Sequence, residues 1–180
     1  MQVAAGCGGL ITLPYWNAVQ SPHWNPVARG AIVGLAGAYG RPELYRSTLE
    51  GISIEMARNF AGLQRTTGVP LTSVTVVGGG QRSPLWRQIM TDALGLPLTE
   101  SLTDEVSAMG AAVMAMAATG AYGSLQEAAK AMAKQGDTSE PNMANHELYR
   151  ELGEMQAGVY DQLAQTFDAQ YEFARKYPLH

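Results

Sequence analysis

The chain has 180 residues and a net charge of −4, enough for one domain of ordinary size. With no basic cluster and no aromatic residues interleaved with Lys or Arg, it lacks the footprint of a nucleic-acid binder. Charged residues make up 16%, against a usual ~25%, so large surfaces carry no charge; no run of about 18 apolar residues marks a membrane span.

The N-terminus lacks the basic-then-apolar layout of a signal peptide. The single cysteine, Cys7, excludes an internal disulfide and fits a reducing cytoplasm. With no base in Ala4-Ala5-Gly6-Cys7-Gly8, it is not expected to act as a nucleophile. Residues 1–40, rich in Gly, Pro and aromatics, are expected to form an ordered loop with at most a short strand at 10–13. Trp16, His23 and Trp24 are expected to pack on the domain body.

Residues 42–67 are predicted helical. Pro42 suits the first turn, Gly68 the stop, and Leu44, Tyr45, Leu49, Ile52, Met56, Phe60 and Leu63 form the expected apolar stripe. Arg46 and Glu50 stand one turn apart, as either a surface pair or a structural pair. Residues 73–77 read as a strand ending in Gly78-Gly79-Gly80. Ser83 caps a helix with Pro84 inside its first turn and Gly95 at its end. A second strand is expected at 96–102. A third helix at 105–119, small-sided all round, is expected to be buried. Ser124 and Glu127 form a capping box for a short helix to 134. Residues 136–141 read as a loop, and a long helix follows from 146 to 177, with Leu148, Leu152, Val159, Leu163 and Phe167 facing inward. Residues 1–180 are thus read as one domain: loop region 1–40, α/β core 41–135 and C-terminal helix 142–178. Two short strands make a poor sheet, a sign that the chain is a piece of something larger.

The strongest chemical feature is Val76-Val77-Gly78-Gly79-Gly80-Gln81-Arg82-Ser83. A strand end, three glycines and a helix start leave bare backbone on which a nucleotide can lie, with unpaired N–H groups facing an anion. A tight turn without ligand is the competing reading. The spacing meets neither the dinucleotide fingerprint nor the P-loop.

Three stretches in order resemble the FGGY carbohydrate kinase family, in particular its xylulokinase-like members. Gly9-Leu10-Ile11-Thr12-Leu13-Pro14-Tyr15, with Pro22, Pro26 and Ala28-Arg29-Gly30, resembles its G-L-x-x-L-P-Y loop leading to A-R-G. Arg46-Ser47-Thr48-Leu49-Glu50-Gly51 resembles its R-x-x-L-E-G helix. Gly78 to Gln88, then Asp92, Gly95, Pro97 and Glu105 to Ala112, resembles its adenosine motif and the helix behind it. The tail from Pro141 to Leu152 also fits.

The resemblance implies a partial actin-like, ribonuclease-H-like ATPase domain: α/β, helix-rich, with a short sheet lacking its N-terminal strands. It implies that Gly79 and Gly80 lie against the ribose and α-phosphate of ATP and that Ser83 stands at the adenine, with Gly78 completing the nucleotide-binding set. It further implies Mg²⁺ in the complete enzyme and a ketose or polyol substrate held by an N-terminal domain.

No catalytic residue and no metal ligand is expected here. The D-x-G-T phosphate loop and the Gly-Thr-Ser hairpin that the resemblance implies do not occur, and Asp92, Asp104 and Glu105 read as capping and solvated groups. The chain alone is therefore expected to lack kinase activity and to bind nucleotide weakly. It also departs from the family pattern: Val19 and Gln20 replace a Glu-Arg pair, and Asn25-Pro26 replaces Asp-Pro.

Two other readings were weighed. A non-catalytic α/β module could pair through its low-charge face, as a homo-oligomer. A dinucleotide-binding oxidoreductase is disfavoured by the missing fingerprint. His23, His146 and His180 are too scattered in sequence to suggest a metal site.

Overall fold

The computed structural model describes residues 3–103 and 105–178. A first pair of strands, β1 (Ile11–Leu13) and β2 (Ala31–Val33), runs antiparallel. Helix α1 (Arg41–Thr67) follows, then β3 (Val74–Val76), a 3₁₀ turn (Gly79–Arg82), α2 (Pro84–Leu94) and β4 (Leu98–Ser101). Then come α3 (Val106–Ala118), α4 (Leu125–Met132), β5 (Gln135–Ser139) and α5 (Met143–Lys176). The second sheet has the order β3-β4-β5. β3 and β4 are parallel, joined across α2, and β5 is antiparallel to β4.

The helix boundaries follow local chemistry. Glu43 reaches back to accept the N–H of Gly40 at 2.8 Å at the start of α1. Ser83 Oγ accepts the N–H of Trp86 at the start of α2, and Ser124 Oγ that of Glu127 at the start of α4. Gly68 and Gly95 end α1 and α2 at φ 67° and 66°, a left-handed conformation that glycine adopts at little cost. Asn142 Oδ1 accepts from Ala144 and Asn145 to open α5 at Met143, three residues earlier than the start expected at 146.

The core is strung along α5 in two groups. Ile11, Leu49, Ile54, Ile89, Ala93, Tyr149 and Leu152 form one; Leu13, Tyr15, Val19, Ala28, Tyr160 and Phe167 form the other. Val19, where the family pattern has a charged residue, thus packs as a core side chain. The inner stripe of α5 agrees with expectation at Leu152 and Phe167, with Tyr149, Gln156 and Tyr160 buried beside them.

Residues 1–40 hold a second strand, β2, where only one at 10–13 is expected, and four other expectations need correction. The stripe named for α1 meets its buried face only at Leu49: Leu44, Ile52, Met56 and Phe60 are half-buried and Tyr45 and Leu63 exposed, while Ser47, Glu50, Gly51, Ser53 and Ile54 are buried beside Leu49. The face is small and polar because α1 lies directly on β1. A Cβ on Gly51 would stand 2.3 Å from the carbonyl oxygen of Thr12, and Ser47 Oγ is 3.0 Å from Thr12 Oγ1. Gly51→Ala is expected to push α1 off β1 and cost about 1–3 kcal/mol, read from urea unfolding.

Helix α3 is not buried. Val113 is its one buried residue, and Met114 is 60% exposed. A helix apolar all round has no face that sequence can rank as inner. It packs on α4, and its other sides remain open.

Residues 135–139 form a strand, not a loop. Gly136 and Asp137 are turn-prone types, but an exposed edge strand needs no apolar alternation. Pairing with β4 holds it, helped by Thr99 Oγ1 against Thr138 Oγ1 at 2.8 Å. Gly136 is needed because a Cβ there would sit 2.6 Å from Glu100 Cγ.

In the N-terminal loop, Tyr15 is buried and His23 stacks on Tyr160 with ring centroids 3.8 Å apart. Trp16 and Trp24 are 51% and 72% exposed, contrary to expectation, although the Trp16 ring lies against Gly30.

Candidate functional site

The glycine turn stands where the sequence puts it, between β3 and α2. Gly78 has φ 84° and ψ −173°, a combination open to glycine alone, and it swings the chain out of the strand into the 3₁₀ turn. Nothing lies within 4 Å of where a Cβ would stand on Gly78 or Gly79, so both present uncovered backbone. Gly80 differs: a Cβ there would be 2.9 Å from the Trp86 ring, so this glycine serves packing. The turn is an open ledge. Three cavities in the structure, of about 460, 190 and 350 Å³, are walled by other residues.

The ledge is rigidly tethered. The Gln81 side chain is buried and clamps β4 with two bonds: its Nε2 donates to Ser101 O at 3.0 Å, and its Oε1 accepts from Ser101 N at 2.9 Å. Arg87 pairs with Glu100 on β4 and also reaches the Gln81 carbonyl. Trp86 Nε1 donates to Ser53 Oγ on α1 at 3.2 Å. Sequence reasoning passed over Gln81. A polar residue directly after three glycines was the available signal, but its partner lies on a strand 20 residues away. Gln81→Ala is expected to leave Ser101 N–H and C=O unpaired and to cost about 1–3 kcal/mol, with faster amide exchange at 79–82.

Ser83 is half-buried at the ledge's end. Its Oγ accepts the Trp86 N–H at 3.3 Å, which leaves its own hydrogen free to donate. Gly78 and Gly79 are thus exposed, Ser83 is half-buried, and Gly80 faces Trp86.

Of the carboxylates expected to be capping or solvated, Asp92 is not solvated. Asp92 is buried and ties α2 to the start of α5: Gln88 Nε2 and Asn142 N donate to its Oδ1 at 2.7 and 2.8 Å, and Asn145 Nδ2 donates to its Oδ2 at 2.8 Å. Glu105 is the N-cap residue of α3 but makes no side-chain cap bond. Asp104 lies outside the described residues.

Among the described residues, no group of three or more His, Cys, Asp or Glu could hold a metal ion, and no helix is long and apolar enough to cross a membrane. Cys7 is buried; burial first, and then the nearby Glu50 carboxylate, push its thiol up to about 12, so it stays protonated near neutrality. Burial lowers the His23 imidazole.

Arg46 and Glu50 form a structural pair. Glu50 is 1% exposed, and its Oε1 accepts from Arg46 Nε at 2.7 Å, Tyr149 OH at 2.9 Å and Gly6 N at 3.0 Å. Arg46 also donates to Val3 O at 2.9 Å and to Tyr149 OH at 3.1 Å. The network joins the N-terminal segment, α1 and α5. Burial, with Glu50 beside it, holds the Tyr149 phenol well above its ordinary range.

Residues 1–119 match the family model described as the C-terminal domain of the FGGY family of carbohydrate kinases. A xylulose kinase of Staphylococcus epidermidis is 28% identical over 160 residues, 89% of this chain and 32% of that protein. A glycerol kinase of Solidesulfovibrio magneticus is 32% identical over 84% of this chain and 30% of that protein. Among solved structures, ligand-bound xylulose kinase from Lactobacillus acidophilus superposes with a TM-score of 0.84 at 25% identity, over 93% of this chain and 34% of that one. Plasmodium falciparum glycerol kinase with ADP shares the fold, with a TM-score of 0.72 at 21% identity over 85% of this chain and 31% of that one. The chain spans about a third of the length of these relatives. Their fold is the actin-like, ribonuclease-H-like one, of which the helix-rich architecture and small mixed sheet seen here are a part. On its sequence match, its fold and the order of its motifs, the chain belongs to the FGGY family of carbohydrate kinases, as the family's C-terminal domain.

Proposed function

We propose that this chain is the ATP-binding part of a sugar kinase that transfers the γ-phosphoryl group of ATP to a hydroxyl of a ketose or polyol. The observation that carries the reading is the uncovered backbone of Gly78 and Gly79, held in place by Gln81 and followed by the Ser83 cap. Bare glycine backbone admits a ribose and α-phosphate at close range, and the Ser83 hydroxyl is free to donate to a base. Gly80 supports the site from behind through Trp86.

The residues fit a nucleotide better than a metal. Mg²⁺ would arrive with the phosphates and be held largely by residues elsewhere in the complete enzyme. The sugar and the base that orients its hydroxyl would likewise belong to an N-terminal domain. Closure of the two domains would expel water before transfer. The open apolar sides of α3 support an adjoining body in such an enzyme. The family's relatives and the reduced thiol fit the cytoplasm.

The test is an amide-resolved NMR titration of the 180-residue chain with ADP. Shifts centred on residues 78–83, with a dissociation constant weaker than micromolar and no turnover near the ~1–100 s⁻¹ of kinases, are expected. Shifts elsewhere with none at the turn would overturn the assignment.

A further inference from the structure

Helices α1, α2 and α5 enclose a second feature, a cavity of about 460 Å³. That lies within the roughly 300–1,000 Å³ typical of small-molecule sites. Its walls are mostly apolar, with Ile54, Phe60 and Ala61 from α1, Leu94 and Leu96 at and beyond the end of α2, and Ala157 from α5. The cavity is held open by polar ties on either side. The Glu50 network fixes α1 to α5, and Asp92 fixes α2 to the start of α5.

The cations lining this cavity are not equivalent. Arg58 pairs with Glu55 and donates to the Gly153 carbonyl. Arg150 pairs with Glu147 and Glu154. Arg65, in the last turn of α1, has no carboxylate partner among the described residues. His146 Nδ1 lies 3.0 Å from the carbonyl oxygen of Asp92, which can only accept. The ring Nδ1 therefore donates to that carbonyl.

We propose that this cavity binds a small molecule with a flat or branched apolar body and one carboxylate, the carboxylate meeting Arg65. The alternatives fit the chemistry less well. A sugar or polyol needs many free hydrogen-bonding groups, and of the polar lining residues Arg58, Gln64, Tyr149, Arg150 and Glu154 are already bonded within the protein. A nucleoside triphosphate would bring three or four negative charges to one unpaired cation. The site is separate from the glycine ledge, whose residues contribute nothing to its walls.

The probe is 2-naphthoate, titrated into the ¹⁵N-labelled 180-residue chain, with 2-naphthylmethanol as its neutral counterpart. Saturable shifts are expected at Ala61, Leu94 and Gly153. Binding should weaken at least fivefold for the neutral compound, and by a similar factor for 2-naphthoate with Arg65→Gln. Ala61→Trp, which fills the cavity, should abolish binding while the amide spectrum stays folded. If Ala61→Trp does not fold, the Arg65→Gln comparison decides. The proposal fails if the shifts gather on the exposed side of α3 around Met114, if no saturation occurs, if the neutral compound or Arg65→Gln binds equally well, or if folded Ala61→Trp binds as the parent chain does.

Discussion

Replacing Glu50 by alanine is expected to cost the fold about 3–5 kcal/mol, the penalty for leaving one partner of a buried ion pair uncompensated. Three donors lose their acceptor at once: Arg46 Nε, Tyr149 OH and Gly6 N. Arg46, with its side chain 12% exposed, would remain charged in a site that no longer holds a carboxylate. For a domain of this size, roughly 2–4 °C of melting temperature accompanies each kcal/mol, so a fall of about 6–20 °C is expected by calorimetry.

Arg150→Ala is the matched control. Its pair with Glu154 has the same helical spacing and that with Glu147 is one residue shorter, but the side chains are 59%, 63% and 71% exposed. Solvent screens such pairs, and the urea midpoint is expected to stay at that of the parent chain. If Glu50→Ala unfolded at the same urea concentration as Arg150→Ala, the network would be decoration and α5 would be held by apolar packing alone.

This contrast also marks what sequence could and could not tell. Arg46 and Glu50 have the same spacing as a surface pair, and nothing local separates the two readings. Burial comes from Gly6 and Tyr149, which lie 44 and 99 residues from Glu50 in sequence. The helices were legible because their ends are written locally: Ser83 before Pro84, Gly95 after Leu94, Ser124 before Glu127. The glycine turn was legible for the same reason.

Elements defined by what they touch were not legible. β5 has an ordinary loop composition and becomes a strand through pairing with β4. The inner face of α1 carries Ser47 and Gly51 because β1 comes too close for larger residues, and Ser53 because the Trp86 indole bonds to it, so counting apolar spacing found only Leu49 of that face. The outward sides of α3 could not be foreseen, since every side of it is apolar or small. Of the candidate site, the turn and its cap were found, but the Gln81 clamp and the inward role of Gly80 needed three dimensions.

The functional assignment separates from the fold at two adjacent glycines. Gly79→Val adds a side chain into open space, with no atom within 4 Å of its Cβ and no left-handed backbone to strain. Its stability should stay within about 0.5 kcal/mol of the parent chain, as for an ordinary surface change. If the ribose and α-phosphate lie on this backbone, the valine occupies their place. ADP affinity should then fall tenfold or more, about 1.4 kcal/mol, by titration under identical conditions. Gly80→Val should do the reverse in kind. Its Cβ meets Trp86 at 2.9 Å, so the indole must leave Ser53, and about 1–3 kcal/mol of stability should go with it. A chain in which Gly79→Val is stable and binds ADP as well as before would place the nucleotide elsewhere, because a ligand resting on residue 79 cannot ignore two added methyl groups at the point of contact.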